Sequence, residues 1–261
     1  MKEQCRISAV SYLNTKPFIY GLNNYQFNFN CILSEDIPAI AAQKLLNNEV
    51  DIALVPVAVI PQLDAPKIIS PYCIGANGKV ATVCLFANVP LEEIDTILLD
   101  YQSKTSVQLV KILCRNFWKK DVQFIQATAG FEKKASDKTA VVVIGDRTIN
   151  LFNQYKYIYD LSEAWKAYTG LPFVFAAWIA KQDINKSIVD ELNAAFNLGL
   201  EHRSEVVQQY QHTYPNFSVA HYLNQSIQYY LDDDKKVALE LFLKYLCEDN
   251  RCTIPNIKYM Y

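Results

Sequence analysis

The feature that most constrains this chain is a recurring one: a buried-looking apolar run stops in small polar residues, and a helical period takes over at once. The stretch 97–109 shows it best. Ile97, Leu98 and Leu99 read as a strand. Asp100, Gln102, Ser103 and Lys104 break it, and Val107, Val110, Leu113 and Phe117 then keep helical spacing. A helix therefore begins near Thr105, just past a strand end. Ser103, Thr105 and Ser106 are candidates to cap it through a side-chain oxygen. The first N–H groups of such a helix lack partners within it, and its dipole places partial positive charge there. A turn of this kind can hold a carboxylate or phosphate without a formal cation. Capping alone is the plainer use of the same hydroxyls.

The pattern repeats along the chain. Residues 7–10 form a strand that ends in the polar stretch 11–16, with Pro17 placed for a helix start and Asn14 or Thr15 for its cap. Residues 27–33 alternate as a half-buried strand, and 36–48 keep a helical period with Asp36 near the start. Residues 51–55 are a short strand running into Pro56, Val57 and Ala58. Strand, helix, strand predicts βαβ units and parallel pairing. Further strands are expected at 67–73, 80–87, 122–126, 140–144 and 155–161. The run 140–144 is apolar throughout, as in a strand covered on both faces, and stops at Gly145 and Asp146. A short helix at 162–168 precedes a central strand at 173–180; after Asp183 amphipathic helices follow at 188–200, 218–228 and 235–246, then an irregular tyrosine-bearing tail.

The polar turns at 11–16, 56–58, 101–106 and 145–148 all follow strands. In open α/β sheets ligands lie outside the carboxyl ends of strands. Two facing lobes would bring these four turns to one cleft, where ligands commonly bind. A two-lobed α/β architecture is the expectation, with two mixed or parallel sheets flanked by helices.

Composition sets the exclusions. At 261 residues, half hydrophobic and one fifth charged, the chain can bury a large core. The net charge is −2 without a basic stripe, so nucleic acid is not an expected partner. No apolar run is long enough to span a membrane. The seven cysteines form no metal-ligand or C-x-x-C spacing. Most of them, such as Cys73, Cys84 and Cys114, sit in apolar runs and read as small buried hydrophobes, a usage that fits a reducing compartment. Without a signal-peptide pattern at the start, a cytoplasmic location is expected. No metal, dinucleotide or nucleophile-elbow motif is present.

Five ordered motifs carry a resemblance. They are Ser11-Tyr12-Leu13-Asn14-Thr15-Lys16-Pro17, Ala53 to Ala58, Leu99 to Val107, Ile144-Gly145-Asp146, and Thr169 to Ala176. Together they resemble the chorismate dehydratases of the futalosine route to menaquinone. The match spans roughly residues 6 to 180; the helical last third agrees in length and character only. The resemblance implies a type II periplasmic binding protein fold, with a two-strand hinge near 86–90 and 175–180. It places 1–88 plus 178–261 in the first lobe and 89–177 in the second.

It also implies a reaction: chorismate loses water to give 3-[(1-carboxyvinyl)oxy]benzoate, a cofactor-independent elimination by a hydro-lyase. Chorismate carries two carboxylates, so two anion-binding spots are wanted. The helix starts at Ser103, Thr105 and Ser106 and near Gly145 and Asp146 are the candidates, with Arg147 an option that can equally face water. Ser11, Tyr12, Pro56 and Val57 belong to the other motifs and are expected to contact substrate. The resemblance gives Asn14 and Thr82 catalytic roles; Thr82 stands where the family commonly has Ser. No general base stands out, because His202, His212 and His221 all lie outside the motifs and Asp100 and Asp146 read as turn braces. A substrate carboxylate could take the proton. Two other readings share the fold: a solute-binding protein for small carboxylates, against which the missing signal peptide argues, and 1,4-dihydroxy-6-naphthoate synthase, for which a His in a lobe motif would be expected.

Overall fold

The computed structural model describes residues 3–261. Its first strand, β1 (Gln4–Val10), runs through a 3₁₀ turn at Leu13–Thr15 into α1 (Lys16–Asn24). Then come β2 (Asn30–Asp36), α2 (Pro38–Leu46), β3 (Ile52–Pro56) and β4 (Lys67–Ala76). β1 pairs in parallel with β2 and with β3, as expected of βαβ units. The chain next builds a second sheet from β5 (Val83–Ala87), β6 (Thr96–Leu99), β7 (Gln123–Gln126), β8 (Thr139–Ile144) and β9 (Tyr157–Asp160), ordered β7-β6-β8-β5-β9. α3 (Thr105–Ile112) and α4 (Leu161–Thr169) flank it.

The chain then returns. β10 (Phe173–Ala180) inserts antiparallel between β3 and β4, and all eight of its residues are buried. α5 (Lys186–Glu201), α6 (Arg203–Gln211), the short α7 (Val219–His221), β11 (Gln228–Tyr230), α8 (Asp233–Asn250) and β12 (Lys258–Tyr259) complete the first sheet and its cover. That sheet has the order β11-β4-β10-β3-β1-β2, with β12 added against β4. Both sheets mix parallel and antiparallel pairs.

Five expectations are corrected. β5 pairs with β8 and β9, and β10 pairs wholly in the first sheet. The sheets therefore change over at 77–82 and 161–172, earlier than the expected 88/89 and 177/178. Apolar runs buried on both faces give no pattern from which a sheet boundary could be read. β2 sits three residues later than the alternation at 27–33 suggested, and Asp36 ends it instead of opening a helix. Its carboxylate accepts from Ser8, Ser34 and Lys44. The expected helix at 218–228 is a short α-turn that widens into a π-turn at Tyr222–Ser226. Finally, Cys247 and Cys252 pair as a disulfide, while Cys5, Cys31, Cys73, Cys84 and Cys114 remain free. The tail, expected to be irregular and to pack on by its tyrosines, instead docks through β12 on β4, and Tyr259 and Tyr261 are exposed.

One contact fixes the helix beside the site. A Cβ built on Gly21 would lie 1.8 Å from the Ala195 carbonyl oxygen, and one on Gly199 1.8 Å from that of Pro17. α1 and α5 thus touch backbone to backbone, which only glycine permits. The 3₁₀ turn leading into α1 is held from below. No helix among the described residues is long and apolar enough to cross a membrane.

Candidate active site

Asn14 sits in the turn between β1 and α1. It does not cap α1, which has no side-chain cap. Its Oδ1 accepts from the Thr15 hydroxyl at 3.1 Å, and its backbone oxygen accepts from the Tyr229 phenol at 3.0 Å. Because Oδ1 is engaged, the amide N–H groups are the part left to meet a ligand. Thr82 lies in the crossing from β4 to β5 and is 1 % exposed. Its Oγ1 is 2.7 Å from the phenol oxygen of Tyr222. The crossing is pinned by Asp160, whose Oδ2 accepts from Val80 N at 2.9 Å and Ala81 N at 2.6 Å. Its Oδ1 caps α4 through Ser162 N and Glu163 N.

The helix start at α3 uses its hydroxyls unequally. Ser103 Oγ accepts from Ser106 N at 3.1 Å and so takes up a first-turn N–H from one residue ahead of the N-cap, Lys104. Thr105 Oγ1 donates to the Phe175 carbonyl at 3.0 Å and accepts from Ala58 N at 3.2 Å. It ties the second sheet's helix to β10 and to the turn after β3. Gly145 follows β8 with φ +65°, and a Cβ there would lie 2.7 Å from the Tyr12 ring. The two lobes touch at this point, and only glycine fits.

Charged groups gather at the rim. Asp146 accepts from Leu13 N at 3.0 and 3.1 Å and from the Tyr214 hydroxyl at 3.0 Å. One carboxylate of the second lobe so grips the β1–α1 turn and the α6–α7 connection together. The Tyr12 phenol donates to the Gln102 side-chain oxygen across the same junction. Arg147 donates to Asp100 at 2.5 Å and to Glu132 at 2.7 Å and lies over the Tyr101 ring. Asp100 also accepts from Gln102 N and Ile144 N, both at 2.9 Å. Burial pushes the Asp146 carboxyl above its ordinary value, partly offset by the bond from Leu13. Burial does the same to Asp100, with Arg147 pulling the other way. Arg147 is therefore committed to carboxylates of its own lobe.

Between these poles lies a narrow cleft of about 530 Å³, counted to its open mouth. Of the residues expected to serve, Tyr12, Asn14, Pro56, Thr82, Ser103, Thr105, Ser106 and Gly145 all line it. Ser11, Val57 and Asp146 do not. The Ser11 N–H is spent on the Asp36 carbonyl, Val57 is wholly buried in the core, and Asp146 is a clasp. Val10, Leu54, Ile74, Val80 and Phe175 supply apolar walls. The lining holds no carboxylate, imidazole, ammonium or guanidinium group. His202 bonds the Leu198 carbonyl and stacks on Tyr20, and His212 and His221 are exposed. Among the described residues no three His, Cys, Asp or Glu side chains are placed to hold a metal ion.

A family model described as "Menaquinone biosynthesis" matches residues 5–248. The chain belongs to that family. A chorismate dehydratase of Thermus thermophilus is 26% identical to this family member over 259 residues, covering 90% of this chain and 92% of its own. Among solved structures, a protein of Archaeoglobus fulgidus superposes with a TM-score of 0.73 at 14% identity, over 95% of this chain and 98% of that one. The periplasmic aliphatic sulphonate binding protein of Escherichia coli does so with 0.63 at 13%, over 98% and 95%. A ligand-binding component of an import system from Staphylococcus aureus gives 0.66 at 10%, over 98% and 94%. The fold is that of periplasmic binding proteins, two α/β lobes with a cleft.

The family member's site contains parts that its sequence motifs did not show. Tyr222, Tyr229 and Tyr214 all come from the last third and reach Thr82, the turn that carries Asn14, and the Asp146 clasp in that order. Tyrosine is so frequent here, at 17 residues, that no single one stood out. The π-turn places Tyr222 inward, and no simple period signals such a turn.

Proposed function

We propose that this protein removes water from chorismate to give 3-[(1-carboxyvinyl)oxy]benzoate, as a cofactor-independent hydro-lyase. The observation that carries the reading is the cleft itself. Its polar groups are hydroxyls, an amide and backbone N–H groups, and the neighbouring Asp100, Asp146 and Arg147 are paired outside it. The Thermus relative's printed activity and the family's pathway point the same way.

The step asks little of the protein. A ring proton leaves beside the enolpyruvyl ether, the neighbouring hydroxyl leaves as water with that proton's equivalent, and the ring becomes aromatic. Negative charge develops towards the ring carboxylate, and fixed neutral donors stabilise it there. The first turn of α3 with Ser106 suits one carboxylate. The Asn14 amide and the Thr82 hydroxyl suit the departing hydroxyl or the ring. With no carboxylate or imidazole in the lining, a carboxylate of the substrate takes the proton, and the cleft supplies orientation. Asn14 and Thr82 are the catalytic pair in this reading; Tyr12, Pro56, Ser103 and Ser106 contact substrate. The changeovers at 77–82 and 161–172 serve as the hinge.

A solute-binding role without chemistry is the second reading, favoured by the sulphonate-binding neighbour's fold. One assay separates the two. Purified protein is incubated with chorismate, and absorbance and mass are followed. The expected result is an aromatic product lighter than chorismate by one water. Chorismate bound but recovered unchanged would overturn the dehydratase.

A further inference from the structure

The buried phenol of Tyr222 meets Thr82, one of the two candidate catalytic residues, although it lies outside the cleft's lining. It is 1 % exposed, and its ring meets Phe217 edge to face. Its oxygen is 2.7 Å from Thr82 Oγ1, and among the described residues neither oxygen has another hydrogen-bond partner. A buried phenol proton needs an acceptor, and Thr82 Oγ1 is the one within reach. Thr82 borders the cleft and Tyr222 does not, so once the phenol donates to Thr82 the Thr82 proton is left to point into the cleft.

We propose that Tyr222 is a positioning residue: by donating to Thr82 it turns the Thr82 hydroxyl proton into the cleft, towards the hydroxyl that leaves the substrate. The inference rests on the dehydratase reading. It also gives the C-terminal helical third, which carries no family motif, a part in the site. Burial pushes the Tyr222 phenol far above its ordinary value, so it keeps its proton at working pH. Thr82 bonds it, and Asp146 and Tyr229 are the titratable groups that bear on it.

The test is a double-mutant cycle on the full chain with chorismate. Tyr222→Phe keeps the ring and removes only the oxygen. It should lower kcat by roughly ten- to a hundredfold, the cost of a misaimed group, with KM within about threefold. In a Thr82→Val background, adding Tyr222→Phe should cost nothing more, because the hydroxyl it aims is gone. A wild-type kcat in Tyr222→Phe would overturn the proposal, and so would the same loss in both backgrounds, the mark of a purely structural role. If Tyr222→Phe does not fold, a fluorinated tyrosine at 222 retains the shape with a more acidic phenol. Its kcat should fall as pH rises while the wild type stays flat; a flat profile in both would overturn it. Wild-type protein that leaves chorismate unchanged would remove the dehydratase reading and this inference together. Wild-type turnover with an unaffected Tyr222→Phe would remove this inference alone.

Discussion

The cleft and its rim are built from the same raw material, polar turns at strand ends, and they use it in opposite ways. At the rim, Asp100, Glu132, Asp146 and Arg147 are paired with each other, with backbone N–H groups or with tyrosines. Inside the cleft, Asn14, Thr82, Ser103 and Ser106 are neutral. The difference has a physical reason. A buried charge must be paired to be tolerated, and a paired charge has little left for a ligand. Neutral donors cost less to bury and can be fixed in advance where negative charge will develop. At the rim Asp146 ties the lobes together, and the cleft is the part left open to a ligand.

The sharpest way to break this comparison is at the rim. Arg147→Ala leaves Asp100 wholly buried without its cation. Stability in urea should fall by about 3–5 kcal/mol. A loss of affinity for chorismate with stability intact would mean that Arg147 binds substrate after all. In the cleft, Asn14→Ala should cost roughly a hundred- to a thousandfold in kcat, the loss of one aimed donor, with little change in unfolding. Gly145→Ala probes the contact between the regions. Its φ of +65° costs a side chain about 1–2 kcal/mol, and its Cβ would press on the Tyr12 ring. KM for chorismate should rise; an unchanged KM would show that this contact does not hold the lobes closed.

The mildest effect belongs to a control far from both regions. Arg6 and Asp51 pair at 2.6 Å on the half-exposed edge of β1. Burial pulls the Asp51 carboxyl up, but the bonds from Arg6 outweigh it and hold it below the ordinary 3.8. Its contribution is therefore present above the unfolded value and is lost as pH falls through the folded one. Asp51→Asn should cost less than about 1 kcal/mol at neutral pH. The gap to wild type should close in strong acid; a gap that widened there would reverse the assigned direction.

Much of this was legible in the sequence, for identifiable reasons. Apolar runs such as 140–144 and the breaks that end them mark strands and their carboxyl ends, and ligand sites follow those ends. The turns carrying Asn14, Ser103 and Gly145 could be placed in one cleft before any coordinates. The sheet changeover was not legible, because β5 and β10 are buried on both faces and look alike from either lobe. The division of labour was hidden as well. Whether Asp146 points into the cleft or back at Leu13 N depends on how the lobes dock, which no local pattern encodes. Tyr222 was invisible because its inward aim is set by a π-turn and by Thr82, 140 residues away.

One measurement tests the central claim most directly: a crystal structure with 3-[(1-carboxyvinyl)oxy]benzoate bound. The account predicts one carboxylate at the first turn of α3, with the Asn14 and Thr82 side chains against the ring, and Arg147 still on Asp100. A product carboxylate paired with Arg147 or any lysine would contradict it.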